Sequence, residues 1–342
     1  MASAAPRLSE LSSNSNLMDE YAKRSLKRFR SLSKAHVLFH AFFCTLISLE
    51  LLAFGLFYSF WAQTYALAFP LAAFFLTIFV YGILFSVFQN KKKEQFWNLK
   101  RKFLMTCSKS CQHLGTAEHH YSLAGAALKL AVLLQNQEYH FYTRHQILSK
   151  LSAQLHWKDV LCMKEVLILS AIDHYTELIK KKATDVELHT HLAKAFVDLS
   201  RLYMEPRLRS QKEDVYINLN SSFVRSLSKK FEAASKSAVE EFTILNTYAP
   251  SDPWVHAQLA NCYHQLHMFS EEINEYEKMI ALCPEDHHTM FRLGLLYFRQ
   301  GQSAKALRLY EHLKKVQFDK ADELLLHYDT FLKKAMLAKS FD

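Results

Sequence analysis

Two long apolar runs limit what this chain can fold into more than any other feature of its sequence. One extends from Val37 to Phe60 and the next from Tyr65 to Phe88, about 24 residues each, and four residues separate them. As a helix, each run would measure about 36 Å, which exceeds the roughly 30 Å of a bilayer hydrocarbon core. A soluble core helix that is apolar on every side over this length is rare. The sequence therefore predicts a transmembrane helical hairpin over residues 36–88.

The surplus of Lys and Arg lies on the outer flanks of these runs, in residues 1–35 and 89–110, and it accounts for the formal charge of +9. By the positive-inside rule, this places both termini on the cytoplasmic side. We expect an integral membrane protein, in a bacterial inner membrane or, alternatively, in a host-derived inclusion membrane. A nucleic-acid-binding protein would spread its basic residues over a domain face, so nucleic acid is not expected as a partner.

Residues 1–35 are predicted to form a disordered and basic N-terminal segment. Its first 20 residues are rich in Ser, Ala and Asn and contain no apolar run. Residues 21–35 form either a short interfacial helix or a solvated basic linker. Beyond the hairpin, 89–115 is predicted as a basic juxtamembrane helix. Three consecutive lysines of this helix are expected near anionic headgroups: Lys91, Lys92 and Lys93.

Glu50 is the only formally charged residue within the two apolar runs. A carboxylate at that depth costs a few kcal/mol on insertion scales and is often functional. Three interpretations remain open. The carboxyl group hydrogen-bonds to Thr77, Tyr81 or a carbonyl of the second run, it contacts another copy in an oligomer, or it belongs to an ion or proton path.

The rest of the chain is predicted to be helical. Only 6 Gly and 6 Pro occur in 342 residues, and so few helix breakers favour long helices over a turn-rich β fold. A polar loop is expected at 204–220. The predicted helices lie at roughly 116–135, 138–154, 158–182, 186–203, 221–248, 253–267, 270–282, 287–300, 303–316 and 320–337.

Residues 253–286 and 287–320 align without a gap over 34 residues. The matched pairs are Leu259 with Leu293, Ala260 with Gly294, Tyr263 with Tyr297, and Tyr276 with Tyr310. This pattern resembles the tetratricopeptide repeat (TPR), and each copy satisfies five of the seven positions at which that repeat is most restrictive. The departures include Glu272, where the repeat has Ala, and His256 and Met290, where it has Trp.

The TPR resemblance extends in weaker form to Val186, and 116–185 is predicted to hold degenerate helical repeats. The expected fold is therefore all-α, with a transmembrane helical hairpin followed by a TPR-like α-solenoid over 186–342. Its final helix, 320–337, would cap the exposed apolar edge.

The TPR resemblance implies a concave groove that binds an extended peptide or a helix of a protein partner. The groove is expected to suit a peptide with an apolar anchor and polar neighbours. The alternative for each aromatic residue is packing between repeats. The clamp that some TPR proteins use for a terminal carboxylate is not expected, because Thr190 and Lys194 replace two of its residues. Carried over position by position, the expected groove residues are Lys194, Trp254, Asn261, His264, His288, Phe291, Phe298 and Arg299.

No catalytic motif is recognisable, so we expect neither an enzyme nor a cofactor. Cys107 and Cys111 lie one helical turn apart with His113 nearby, but no four-ligand metal set is evident. The six cysteines are dispersed and are interpreted as reduced thiols.

Together these features predict a membrane-anchored TPR scaffold that recruits a peptide or protein partner. The tether would raise the effective concentration of a weakly bound partner at the membrane. Two alternatives remain. One is a type III secreted, inclusion-membrane-type protein that faces host cytosol, and the other is a small oligomeric transporter or channel that uses Glu50.

Overall fold

The computed structural model describes residues 8–58, 68–111, 115–142, 146–211, 221–326 and 328. Within these ranges the chain is helical and contains no strand, as predicted. The helices are α1 (Leu8–Leu56), α2 (Ala68–Ser110), α3 (Thr116–Leu133), α4 (Gln146–Lys181), α5 (Val186–Gln211), α6 (Ser221–Tyr248), α7 (Pro253–Gln265), α8 (Phe269–Leu282), α9 (His287–Arg299) and α10 (Ser303–Lys315). A short 3₁₀ helix, Gln137–His140, follows α3.

The helices form two compact units. The N-terminal unit consists of the described residues of Met1–Leu178 and Glu205–Leu219, and the repeat unit consists of those of Ile179–Met204 and Asn220–Asp342. Each unit has its own core.

The N-terminal unit is organised around α1 and α2, which pack against each other along the apolar runs. Both helices are long and apolar enough to cross a membrane. In their most apolar windows only 6% and 0% of the residues are buried. Leu52, for example, is 60% exposed and Phe79 is 64% exposed. Packing of α1 against α2 therefore leaves most of this apolar surface uncovered.

Burial begins where the apolar runs end. The C-terminal half of α2 buries Phe96, Leu99, Phe103 and Cys107, and the ring of Phe96 lies 5.4 Å from that of Phe29 on α1. The helix α3 packs against both α1 and α2. Each long helix thus has an apolar half with an exposed surface and a polar half that contributes to a core.

The N-terminal segment differs from its prediction. Residues 8–20 are helical rather than disordered, and 21–35 is neither a solvated linker nor an interfacial helix but the central part of α1. This part buries Ala22, Phe29 and Ser33. Residues 1–7 lie outside the described residues. The reason for the difference is packing: one face of this basic segment is buried because α2, α3 and α4 contact it.

Two other helix boundaries also differ. The predicted helices 138–154 and 158–182 are a single helix, α4, preceded by the 3₁₀ helix. In the predicted loop 204–220, residues 204–211 continue α5, and 212–220 lie outside the described residues.

The repeat unit shows the 34-residue register in its helix caps. The Asp252 side chain accepts a hydrogen bond from the Trp254 N–H (2.9 Å) at the start of α7. The Asp286 side chain accepts one from the Thr289 N–H (3.1 Å) at the start of α9. Asp at this position satisfies a backbone donor of the first helical turn. The two helix starts are therefore built alike, 34 residues apart.

The turns inside the two repeats share the same register. His267 and Gly301, 34 residues apart, adopt positive φ angles of 58° and 72°. The same backbone hydrogen bond closes both turns, from Met268 N to Tyr263 O (3.0 Å) and from Gln302 N to Tyr297 O (2.8 Å). With α7 packed on α8, α8 on α9 and α9 on α10, residues 253–315 form two TPR-like helix pairs, as predicted.

The array continues at both ends. On the upstream side, Ala193 of α5 and Phe242 of α6 share a core with Leu259 of α7, which extends the helical array to α5. On the downstream side, residues 321–326 are helical. The fully buried Leu324 lies against Gly294, where an added Cβ would come within 2.8 Å of its Cδ2. This close approach agrees with a capping helix, of which residues 329–337 lie outside the described residues.

Candidate functional site

A cavity on the repeat unit brings together three of the predicted groove residues, Asn261, His264 and Arg299. It has a volume of about 310 Å³. The first helices of the two repeats, α7 and α9, contribute most of its lining, and α8 provides the rest. The complete lining is Asn261, His264, Glu272, Tyr276, Arg292, Leu295, Leu296 and Arg299.

The base of this cavity carries a carboxylate that the TPR pattern does not include. Glu272 is 2% exposed, and the Nδ1–H of His264 donates to its Oε1 at 2.9 Å. Burial raises the pKa of the Glu272 carboxyl, and His264 and Arg299 oppose that rise. The cavity therefore combines two arginines and a histidine with one carboxylate held at its base. Such a lining suits a ligand with an acidic or hydrogen-bonding group.

Lys194 and Trp254 form a second cluster on α5 and α7. The Lys194 Nζ lies 5.1 Å from the centroid of the Trp254 ring, in a cation–π contact. Trp254 is 36% exposed and meets Phe242 edge-on, with 5.8 Å between the ring centroids. One edge of the indole is thus anchored by packing, while part of the ring remains accessible.

His288 and Phe291 lie at a third position, on α9. His288 is exposed and Phe291 is half-buried. Their ring centroids lie 5.1 Å and 6.1 Å from that of Phe318, which follows α10. Both residues therefore pack against the end of the second repeat and keep part of their surface accessible.

Phe298 corrects the prediction for the groove. It is 1% exposed, and its ring lies 5.2 Å from that of Tyr328. The residues that follow α10 cover it, so it belongs to the core and offers no surface to a partner. The alternative of packing between repeats applies to this aromatic residue.

Two histidines at equivalent positions of their repeats form buried contacts that were not predicted from the sequence, and we call them the paired histidine latch. His189 and His256 hold the same position in their repeats, and each contacts a Glu on the following helix. The Nδ1 atoms lie 2.6 Å from Glu241 Oε2 and 2.5 Å from Glu275 Oε2. The Nε2 atoms lie 2.9 Å and 3.0 Å from the carbonyl oxygens of Ala183 and Pro250, each six residues upstream. The sequence does contain a signal for these contacts, because a His stands at the position where the TPR pattern has Trp.

The latch joins the two helices of a repeat through a polar contact in place of the Trp. Burial lowers the pKa of His189, but the hydrogen bond to Glu241 and the nearby acceptors raise it overall. This agrees with a ring that donates from both nitrogens. The two histidines are therefore structural rather than part of the groove.

Glu50 is hydrogen-bonded within the apolar pair. The Thr77 hydroxyl of α2 donates to Glu50 Oε1 at 2.7 Å. This is the first of the three interpretations of Glu50. The bond links the two apolar helices at the level where each carries a polar side chain.

The other candidates for chemistry do not form a site. Cys107 and Cys111 are buried. Burial raises the pKa of both thiols, that of Cys107 to about 12, so both thiols are protonated near neutral pH. His113 lies outside the described residues. Among the described residues, no group of three or more His, Cys, Asp or Glu could hold a metal ion.

No protein-family model matches the chain, and no curated protein matches it. Similar solved structures include the MamA RS-1 ArsTM double mutant, which is 14% identical with a TM-score of 0.31, over 67% of this chain and 97% of that chain. A monomeric mutant of IFIT1 is 13% identical with a TM-score of 0.34, over 84% and 74%. The TPR2AB domain of yeast Sti1 is 15% identical with a TM-score of 0.25, over 70% and 96%. The TPR-like assignment therefore rests on the shared register of the caps and turns.

Proposed function

We propose that this chain is a membrane-anchored scaffold whose repeats recruit a peptide or protein partner. The observation that carries the proposal is the exposure of the apolar halves of α1 and α2, while the other halves of the same helices contribute to a core. A core helix of a soluble protein buries its apolar residues. Insertion into a bilayer would remove this surface from water.

The repeat unit supplies the recruiting surface. The cavity around Asn261, His264 and Arg299 accepts polar groups, and the exposed parts of Trp254 and Phe291 offer apolar contacts. Interfaces commonly combine aromatic anchors with Arg. Fixing such a surface to a membrane raises its effective concentration for a partner at that membrane, so that moderate affinity suffices.

The membrane part of the proposal predicts that the full-length protein stays in the pellet when membranes are washed with carbonate. Leu52→Arg combined with Phe79→Arg should shift most of it to the supernatant, because each charge at mid-bilayer costs about 2.5–3.5 kcal/mol. Both positions are exposed, so the substitutions leave the packing intact.

Val132→Arg combined with Leu326→Arg is the matched control. These two exposed apolar residues lie outside the apolar runs, and this variant should stay in the pellet. Wild-type protein in the carbonate supernatant would contradict membrane anchoring.

The groove part of the proposal predicts that Arg299→Glu strongly reduces partner capture. A photo-crosslinking residue at Asn261, introduced in the native cells, would capture the partner for mass spectrometry. Reversing the charge beside Glu272 should weaken binding by more than about tenfold, as at other interface hot spots. Arg308→Glu on α10 is the control, since Arg308 is exposed and does not line the cavity. Equal capture by both variants would rule out this cavity as the recruiting surface.

A further inference from the structure

A second cavity, in the N-terminal unit, lies at the level where both apolar runs end. It has a volume of about 330 Å³ and is lined by residues of α1, α2 and α4. His36 immediately precedes the first run, and its ring lies 5.8 Å from that of Phe88, the last residue of the second run. The two helices therefore leave the apolar region side by side. If the apolar halves span a bilayer, this is the level of the lipid phosphates.

The lining of this cavity is basic. It includes three lysines, Lys92 and Lys93 of α2 and Lys158 of α4. The lining contains one carboxylate, that of Asp159. Asp159 is buried and already paired, because its Oδ1 lies 2.6 Å from the Lys92 Nζ. Lys93 and Lys158 are exposed at the cavity. The cavity therefore carries an excess of positive charge, and two of its lysines reach solvent.

The lining also includes apolar side chains. Val37, Phe96 and Leu155 contribute to it, and Leu155 is an exposed apolar side chain on α4. A volume of about 330 Å³ lies at the lower end of the range for small-molecule sites. The cavity thus has room for a headgroup and combines lysines with apolar side chains, one of which, Val37, begins the first apolar run.

We propose that this cavity binds the phosphate group of an anionic phospholipid. The inference rests on the proposed membrane anchoring and makes it specific. Lysines bind phosphate as point charges, and basic pockets between helices on the cytoplasmic side of membranes hold anionic headgroups. The apolar part of the lining would contact the glycerol and the first carbons of the acyl chains. A bound lipid would fill the junction of α1, α2 and α4.

The test uses the full-length protein in phosphatidylcholine nanodiscs, with phosphatidylglycerol as the probe and native mass spectrometry as the measurement. The cavity variant is Lys93→Gln with Lys158→Gln. Lys92 is left unchanged because it pairs with Asp159. The control variant is Lys102→Gln with Lys150→Gln, two exposed lysines of the same helices that do not line the cavity. Both variants lose the same charge, so a general attraction to an anionic surface affects them equally.

Wild-type protein and the control variant should retain phosphatidylglycerol, and the cavity variant should bind it about 30-fold more weakly. Equal retention by all three proteins would overturn the proposal. A second arm adds inorganic phosphate to wild-type protein. If inorganic phosphate displaces the lipid, the cavity belongs to a soluble phosphate compound and the lipid assignment is overturned.

The failure of this inference is distinguishable from the failure of membrane anchoring. Release of the wild-type protein by carbonate would contradict anchoring. Retention in carbonate-washed membranes, together with equal lipid binding by both lysine variants, would contradict only the lipid site. Lys158→Gln alone serves as a milder variant, in which the loss of lipid should be smaller but in the same direction.

Discussion

Asp159→Ala is expected to lower the free energy of unfolding of the N-terminal unit by about 3–5 kcal/mol, because it removes the one charge that balances a buried network. Asp159 of α4 lies between Lys92 of α2, at 2.6 Å, and the hydroxyl of Ser33 of α1, which donates to it. The Nδ1–H of His156 donates to the Ser33 Oγ at 2.7 Å. Ser33, His156 and Asp159 are all buried. The substitution would leave Lys92 and Ser33 without their shared acceptor.

The effect of Asp159→Ala should depend on pH. Burial alone would raise the pKa of the Asp159 carboxyl, but His156, Lys92 and Ser33 together hold it below its usual value of 3.8. A lowered folded-state pKa stabilises the protein fully above the unfolded-state pKa, and this contribution is lost as the pH falls through the folded-state pKa. The difference between wild type and the variant should therefore be largest above about pH 5 and should narrow as the pH falls below about 4.

Hydrogen exchange of the full-length protein in detergent would measure this effect in α1, α2 and α4 separately. Asp173→Ala is the matched control, since Asp173 is exposed on the same helix and its loss should change exchange little. If Asp159→Ala leaves exchange in α1 and α2 unchanged, the network does not hold these helices together.

The sequence reasoning could not find this network, for a physical reason. Ser33 and His156 are buried at polar positions, and a search for apolar periodicity interprets such positions as exposed. Ser33 lies within residues 21–35, whose composition predicts a linker or an interfacial helix. Its burial depends on contacts with α4, more than 120 residues away in the chain. Local composition does not encode a partner at that distance.

The repeats could be predicted much more closely, because their signal is local and periodic. The predicted helix 270–282 differs from α8 by one residue at its start. The predicted helix 303–316 differs from α10 by one residue at its end. The register came from residues that repeat every 34 positions. The groove was harder to predict, because the pattern gives the face of a helix but not what covers it. Asn261 and Arg299 line a cavity, whereas Phe298 is covered by residues beyond α10.

Phe298→Ala is therefore expected to act on stability rather than on binding. The side chain is fully buried against Tyr328 and the core that includes Leu293 and Leu324. Removing a buried Phe side chain costs about 3–5 kcal/mol, from lost transfer free energy and the cavity left behind. Had Phe298 lined the groove as the TPR pattern implied, the same substitution would reduce partner capture with little change in stability.

Hydrogen exchange by mass spectrometry on the full-length protein in detergent separates these two outcomes. Phe298→Ala should accelerate exchange in α9, α10 and the segment 321–326, by a factor of more than 100 for a loss of about 3 kcal/mol. Phe291→Ala is the matched control, because its half-buried ring leaves less of a void and should accelerate exchange far less. Because capping helices cover the apolar edge of a helical array, the largest acceleration is expected at 321–326. Exchange in Phe298→Ala equal to that in Phe291→Ala would contradict the placement of Phe298 in the core.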